Sequence, residues 1–383
     1  MAATAATDSL SPDVERLLAA LEQARRGTLA LVAPLSDEQL EKVHSPIMSP
    51  LAWDLAHIAA YEDLWIGHRL GGRELLRPEL AARYDAFETP RAVRGEVELL
   101  DAAGAREYLA QVRAATFETI AERGAGDGTI AEMVLRHELQ HTETMRQTMA
   151  IAGLLADGEG PPRLSGTRGW VEIPAGSFEM GAAGDADGVG DGDGDGVGFA
   201  YDNERARHEV RLPAFRIARL PVSNASWMRF SEGGGYERRE WWSDEGWAWK
   251  EEYDIGHHPT VAAGDLEAPV CHVSWFEADA FARAYGARLP TEQEWERAAT
   301  SKQIDAVGSV WEWTSSHFLP YPGFRAHPYR EYSEVFFGER YRVLRGGSWA
   351  TDARVATRTF RNWDLPQRRQ IFAGLRLARD AEG

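Results

Sequence analysis

His137-Glu-Leu-Gln-His141 lies in a long stretch, residues 130–155, whose apolar side chains recur at helical spacing. Two histidines four residues apart point to the same side of a helix, where their ring nitrogens can bind one metal ion. His57 offers a third nitrogen from a second helical stretch, Pro50–Trp65. These residues predict a bundle of helices with a three-histidine metal site between facing helices.

Two other interpretations fit the same residues. The spacing HxxxH also occurs on helix faces that bind no metal. Because Glu138 follows His137, the stretch also matches the HExxH pattern of zinc proteases, in which Glu138 would be the general base. Neither histidine nor glutamate follows His141 at the metzincin offset, and Glu143 would lie on the helix flank. The sequence therefore favours a metal site other than that of a protease.

The pattern of apolar residues divides the chain into two domains, as its 383 residues also favour. Helices are predicted at Pro12–Val32, Ser36–Val43, Pro50–Trp65, Ala105–Glu122 and Ile130–Leu155. After Gly160-Pro-Pro162 the chain becomes rich in glycine and tryptophan, with short β-like runs at 169–174, 177–181 and 207–212. We predict a multidomain α and α+β protein, with an antiparallel helical bundle at 9–158 and an α+β domain at 165–380.

The composition excludes several classes of partner. A formal net charge of -18 argues against nucleic acid and anionic membranes. Apolar runs of roughly 18 residues, which a membrane helix requires, do not occur, and the first residues do not resemble a signal peptide. Cys271 is the only cysteine, so the chain has neither an intrachain disulfide nor a thiolate cluster. We expect a cytoplasmic protein that acts on small molecules.

Residues 184–198 form an insert of alternating glycine and aspartate. Such oxygen-rich loops can bind calcium, but the bidentate glutamate of an EF-hand does not follow. We expect a solvated insert.

Four motifs in the second half occur in a characteristic order. They begin at Cys271 (CHVSWFEADAFAR), Arg288 (RLPTEQEWERAA), Val310 (VWEWT) and Arg345 (RGGSW). Together they resemble the formylglycine-generating-enzyme fold, a variant of the C-type lectin fold. Formylglycine-generating enzymes bind copper through paired cysteines, so their chemistry is not expected in a chain with one cysteine.

The first half resembles the DinB-like bundle, and the combination is similar to the sulfoxide synthases of ergothioneine biosynthesis. The resemblance implies a mononuclear nonheme Fe(II) bound by His57, His137 and His141. It also implies a reaction in which O2 is consumed and the thiol of γ-glutamylcysteine is joined to C2 of the imidazole of hercynine, Nα-trimethylhistidine. Three neutral imidazoles leave the iron its full charge and several open positions.

The same resemblance assigns residues to hercynine and to the proton donor. Gln140 and Asn362 match positions that bind hercynine, and Trp363 would add an aromatic wall or else belong to the core. A tyrosine is expected to deliver a proton to the reduced oxygen species. Tyr321 is the candidate and Tyr329 the reserve.

Arg91, Arg94 and Asp364 match the positions that bind γ-glutamylcysteine. The two arginines would bind its carboxylates and Asp364 its amino group, although an exposed basic loop is the alternative for the arginines. The chain departs from the family at residues 299–310, where the connection between the second and third motifs is much shorter than usual. A trimmed surface excursion or a different pocket rim would explain this, and a different rim would allow a different sulfur donor.

Two competing functions follow. A selenoneine synthase would use iron and hercynine but take a selenosugar, which offers nothing for two arginines to bind. Cysteine as the sulfur donor is disfavoured for a related reason, because it has only one carboxylate for the two arginines. From another class, the chain could be a catalytically silent lectin-like binding module, which the presence of all three histidines disfavours.

Overall fold

Two compact units make up the protein in the computed structural model, Met1–Ala156 and Asp157–Gly383. The structure describes residues 11–182, 199–259 and 265–381, so the Gly/Asp insert lies outside the described residues. None of the helices in these ranges combines the length and hydropathy that a bilayer crossing requires.

The first unit is helical, as predicted. Its α-helices are α1 (Pro12–Val32), α2 (Asp37–Glu41), α3 (Leu51–Glu62), α4 (Ala102–Arg123) and α5 (Thr129–Ala152). The structure confirms the predicted bounds of α1. The helix begins at Pro12 because Ser11 caps it and a proline is favoured in the first turn. The helix α4 begins three residues earlier than predicted, since the side chain of Asp101 accepts a hydrogen bond from the Gly104 N–H.

The end of α3 differs from a regular helix. Residues Asp63–Leu70 continue it as a π-helix. This form is rare in proteins, and where it occurs it is often at a functional site. The helix α5 ends where Gly153 adopts a left-handed conformation with φ of 67°. Between these ends, α3 packs against α4 and α5, and α5 also packs against α1.

The burial of α3 sets the position of the site. Every residue from Leu51 to Ala59 is buried, including His57 and Asp54. Leu51, Trp53, Leu55 and Ile58 belong to the hydrophobic core of the bundle. A buried imidazole and a buried carboxylate on such a helix must find polar partners inside the protein.

The second unit mixes short strands and helices. Its strands are β1 (Trp170–Ile173), β2 (Gly176–Met180), β3 (His208–Leu212), β4 (Phe215–Ala218), β5 (Trp311–Phe318), β6 (Gly338–Arg345), β7 (Asn362–Asp364), β8 (Ala373–Leu375) and β9 (Ala378–Asp380). Its α-helices are α6 (Asn224–Glu232), α7 (Asp244–Glu252), α8 (Trp275–Ala284) and α9 (Glu292–Thr300). The described strands form sheets ordered β1-β4-β9, β2-β3 and β7-β6-β5-β8. All pairs are antiparallel except β5 with β8.

Buried ion pairs explain the acidic residues of the motifs. Glu292 accepts hydrogen bonds from Arg361 Nε and Nη2 at 2.8 and 2.9 Å. Glu312 binds Arg376 in the same way, with two bonds of 2.8 Å. These pairs join α9 and β5 to segments near the end of the chain, so the motif carboxylates stabilise the fold.

The shortened connection is packed against the core. Ile304 is buried in the cluster that contains Phe215, Ile217 and Trp295. The carbonyl oxygen of Asp305 accepts a hydrogen bond from Arg376 at 2.8 Å.

Candidate metal centre

Three histidines of the first unit lie together, as the sequence predicts. The ligand atoms of His57, His137 and His141 all lie within 4.8 Å of one another. The Nε2 atoms of His57 and His137 are 3.1 Å apart. His57 comes from α3 and the other two from successive turns of α5, so the packing of these two helices forms the site.

Each histidine has a different neighbour that fixes its ring. His57 donates from Nδ1 to the backbone oxygen of Tyr84 at 2.6 Å. His141 Nδ1 lies 3.1 Å from Asp54 Oδ1, and the ring of His137 stacks on Tyr61 at 3.7 Å between centroids. A proton on Nδ1 of His57 and His141 leaves each Nε2 free to bind a metal ion.

The electrostatics of the site fit a bound cation. Burial, followed by the charge of His141, lowers the pKa of His57 and His137 well below the usual range, so these imidazoles are neutral ligands at neutral pH. Asp54 is completely buried, and its Oδ2 atom has no hydrogen-bond partner among the described residues. A buried carboxylate with one oxygen left without a hydrogen bond is unfavourable unless a cation lies nearby. Imidazole suits Zn, Cu, Fe and Ni, so the donors alone leave the choice of metal open.

Glu138 points away from the histidines, and the zinc-protease interpretation is wrong for that reason. Its Oε1 accepts from Arg25 Nε and Thr28 Oγ1, both at 2.8 Å, and its Oε2 accepts from Arg113 Nη2 at 2.9 Å. Glu62 completes this group by binding both arginines. A carboxylate held on both oxygens in this way cannot serve as the general base at the metal.

Arg94 lies beside the histidine site and makes no ion pair with any residue that the structure describes. Its guanidinium stacks 3.5 Å from the centroid of Trp53, whose ring stacks on His57 at 4.6 Å. It donates from Nε to the Thr89 carbonyl oxygen and from Nη1 to Ser49 Oγ. Burial, and then the neighbouring positive charge of Arg91, lowers the pKa of Arg94 to about 9.

The charge of Arg94 is therefore available to a ligand. Within the described ranges it makes no salt bridge, whereas the other buried arginines of this unit, Arg25, Arg113 and Arg136, all bind glutamates. Arg91 is exposed, near enough to act on Arg94 and His57 through its charge. Two cations that make no salt bridge to a carboxylate of the described residues point to an anionic ligand.

A cavity adjoins the site within the first unit. Its volume is about 380 Å³, and its lining includes His57, Tyr61, Tyr84 and Tyr108, with Glu88 among its charged residues. Pockets of this size bind small molecules. Gln140 lies half-buried on α5, between the two histidines in sequence.

The remaining predicted residues belong to the second unit. Asn362, Trp363 and Asp364 form β7, an outer strand of the four-stranded sheet. Asn362 Oδ1 accepts from the Trp363 N–H at 2.9 Å, and Trp363 stacks on Phe318 at 4.2 Å. Asp364 Oδ2 lies 3.3 Å from Arg368 Nε.

The two tyrosine candidates differ in their surroundings. Tyr321 is buried, its hydroxyl lies 3.4 Å from Glu292, and Arg361 stacks on its ring at 4.0 Å. Burial raises the pKa of Tyr321 well above its usual range. Tyr329 is half-buried and contacts the ring of Tyr332.

Sequence reasoning missed the residues that orient the histidines. Asp54 precedes His57 by three residues on one helix, so its position on the same face was a usable signal. Tyr61 follows His57 by four residues and could have been found in the same way. The Tyr84 carbonyl group had no such signal, since it lies on a separate segment after α3.

Comparison with known proteins identifies the family. The hercynine oxygenase of Mycobacterium tuberculosis is 39% identical over 433 aligned positions, which cover 96% of this chain and 99% of that protein. That of Mycolicibacterium thermoresistibile is also 39% identical, with 97% and 96% coverage. The chain belongs to the hercynine oxygenase family.

Family models support both halves of this assignment. The Sulfatase-modifying factor enzyme 1-like domain matches residues 159–304 and 303–381, and the DinB superfamily matches residues 20–145. The ergothioneine biosynthesis protein 1 of Schizosaccharomyces pombe is 23% identical, over 65% of this chain and 38% of that protein. The predicted fold class and family resemblance are confirmed. The two segments of the first match meet inside the shortened connection, which is where this chain departs from the family domain.

Proposed function

We propose that this chain is an iron-dependent sulfoxide synthase of ergothioneine biosynthesis, which joins the thiol of γ-glutamylcysteine to C2 of hercynine. The observation that carries the proposal is the three-histidine site in a chain that matches hercynine oxygenases over nearly its whole length. His57, His137 and His141 would hold Fe(II). When bound, the iron would activate O2 and supply the oxidising power for C–S bond formation and sulfur oxidation.

The overall reaction balances with one O2. The C2–H bond of hercynine and the S–H bond of the thiol are lost, and a C–S bond forms. One oxygen atom leaves with the two hydrogens as water, and the other becomes the sulfoxide oxygen. O2 takes up four electrons: two come from formation of the C–S bond and two from oxidation of the sulfur to the sulfoxide.

The arginines support a thiol substrate that has two carboxylates. Arg94 is a buried cation without an ion pair among the described residues, and Arg91 is an exposed cation close enough to act on it. γ-Glutamylcysteine has two carboxylates and one ammonium group, so each arginine would bind one carboxylate and Asp364 the amino group. The ion pair of Asp364 with Arg368 leaves this carboxylate partly exposed.

Hercynine would be bound through its carboxylate and quaternary ammonium group. The amide groups of Gln140 and Asn362 are the proposed hydrogen-bond donors; Asn362 uses Oδ1 internally, which leaves its Nδ2 donors for a ligand. Trp363 would contribute an aromatic face, although one side of its ring is already stacked on Phe318. Tyr321 is the proposed proton donor, with Tyr329 as the alternative. A reducing compartment such as the cytoplasm would keep the thiol substrate available.

The sulfur reaction is favoured over the selenium reaction. The relatives reported above are named for hercynine oxygenation and ergothioneine biosynthesis. A neutral sugar would also leave the charges of Arg91 and Arg94 without a partner.

The proposal is tested by anaerobic reconstitution with Fe(II), followed by oxygen-uptake measurement and mass spectrometry. One reaction contains hercynine with γ-glutamylcysteine, and a second contains hercynine with a selenosugar. A sulfoxide conjugate in the first reaction is the expected result. Product only in the second would assign the chain to selenoneine synthesis, and absence of hercynine-dependent oxygen uptake in both would favour a silent binding module.

A further inference from the structure

We propose that Asp54 is a positioning residue for the metal centre, which fixes the ring orientation and tautomer of His141 through its buried carboxylate. This role rests on the proposed function, because it requires a metal ion at the three histidines. Asp54 would touch neither substrate nor metal and would act only through His141.

The contact between Asp54 and His141 is the first line of support. His141 Nδ1 lies 3.1 Å from Asp54 Oδ1, a hydrogen bond that joins α5 to α3. When Nδ1 carries the proton and donates it to the carboxylate, Nε2 is left as the metal ligand. A carboxylate behind a histidine ligand also makes the imidazole a stronger electron donor.

The burial of Asp54 is the second, independent line. The residue is 0% exposed, and its Oδ2 has no hydrogen-bond partner in the part of the chain that the structure describes. Arg94 acts on it through space, yet no arginine or lysine of the described residues lies within salt-bridge distance. A carboxylate of this kind does not stabilise the metal-free fold, so a structural role does not account for it.

The comparison with the other two ligands shows why His141 needs this residue. His57 is held by a carbonyl oxygen and His137 by the stacked ring of Tyr61. His141 is half-buried, and its Nδ1 lies against the carboxylate of Asp54. Of the three ligands, His141 alone is oriented by an anion.

Asp54 also links the geometry of both helices. It precedes His57 by three residues, so the two side chains share one face of α3. The same helix thereby supplies one ligand and the group that orients another ligand on α5. A small shift between the helices would alter two ligands together.

The test compares Asp54→Asn with wild-type protein and with the matched control Asp63→Asn. Asp63 is a buried aspartate in the π-helix that continues α3, and its Oδ2 accepts from the Leu76 N–H. The full chain is titrated anaerobically with Fe(II) and with Co(II) at pH 8, and the ligand-field spectrum of the Co(II) form and the thermal midpoint of the metal-free protein are recorded.

We expect Asp54→Asn to weaken Co(II) and Fe(II) binding by about 10- to 100-fold and to change the Co(II) spectrum. The thermal midpoint of the metal-free variant should be no lower than that of wild type, because a buried charge has been removed. Asp63→Asn should keep wild-type metal affinity. Unchanged metal affinity in Asp54→Asn, or a lower midpoint together with an unchanged Co(II) spectrum, would overturn the role.

A double-mutant cycle tests whether Asp54 acts through His141. In a His141→Ala background, titrated with Co(II) at concentrations high enough to measure the weaker site of two histidines, Asp54→Asn should cause no further loss of Co(II) affinity. If the second substitution still weakens binding, the mechanism is wrong. Wild-type protein that binds neither metal would overturn the metal centre itself and this role with it.

A measurement on wild-type protein covers the case in which Asp54→Asn does not fold. With 15N-labelled histidine and Zn(II) bound, NMR should show His141 protonated at Nδ1 and metal-bound at Nε2. The opposite tautomer would overturn the proposal.

Discussion

The helical unit contains two buried groups of charged side chains that differ in how they are paired. The first group consists of two arginines and two glutamates that bind one another through hydrogen bonds of 2.7–3.3 Å. We call it the paired cluster, and its members are Arg25, Glu62, Arg113 and Glu138. Burial alone would raise the pKa of Glu62, but Arg25 and Arg113 lower it below its usual range. The paired cluster is electrically neutral and complete.

The second group lies at the histidine site and is incomplete. Asp54 has one unpartnered oxygen, and Arg94 has no ion pair in the described chain. Buried charges are normally paired, so this difference separates side chains that balance one another within the bundle from side chains whose charge would be balanced only when a metal ion or a substrate is bound. One helix contributes to both groups, since α3 carries both Asp54 and Glu62.

The largest expected effect comes from removing a metal ligand. His137→Ala should abolish stable binding of Fe(II) and all turnover, because two imidazoles cannot replace three. Metal content after anaerobic reconstitution and gel filtration measures this, and circular dichroism checks the fold. His68→Ala, at an exposed histidine, should retain the metal. Full metal content in His137→Ala would remove the metal hypothesis.

Breaking the paired cluster should lower stability. Glu138→Gln removes one of two anions and leaves a buried excess of positive charge, so we expect the free energy of unfolding to fall by about 3–5 kcal/mol. Chemical denaturation measures it. Glu118→Gln, at an exposed ion pair with Arg73, should change stability by about 0–1 kcal/mol. A similar small change in both variants would mean that the cluster contributes little.

Removing the unpaired cations should affect one substrate. Arg91→Ala and Arg94→Ala should each raise the KM for γ-glutamylcysteine about 10- to 150-fold, because a charge-assisted hydrogen bond contributes about 1.5–3 kcal/mol. The dissociation constant for hercynine should stay nearly unchanged. Arg83→Ala, at a surface arginine, is the control. Equal weakening of both substrates would show that the arginines are structural.

The smallest expected effect concerns the product ratio. Tyr321→Phe should divert O2 toward oxidation of the thiol alone, because the proton donor is lost, while Tyr329→Phe should leave the ratio unchanged. Mass spectrometry of sulfoxide conjugate and oxidised thiol measures it. The reverse pattern would assign the proton to Tyr329 and leave Tyr321 as a partner of the buried Glu292.

Sequence alone determined the features that depend on local spacing or on ordered motifs. The interval between His137 and His141 places both on one face of a helix whatever surrounds it. The bounds of α1 followed from its apolar residues at helical spacing, and the order of the four motifs predicted the fold of the second unit. Apolar periodicity likewise predicted that His57 lies on a helix.

Tertiary structure alone decided which polar groups meet. The Asp54–His141 contact joins residues 87 apart, and the Arg25–Glu138 contact joins residues 113 apart. No local pattern fixes such pairings, because they depend on how α1, α3, α4 and α5 pack. In another fold, the glutamate of the same HExxH sequence could lie beside a metal ion. Here Glu138 instead binds the arginines of the paired cluster.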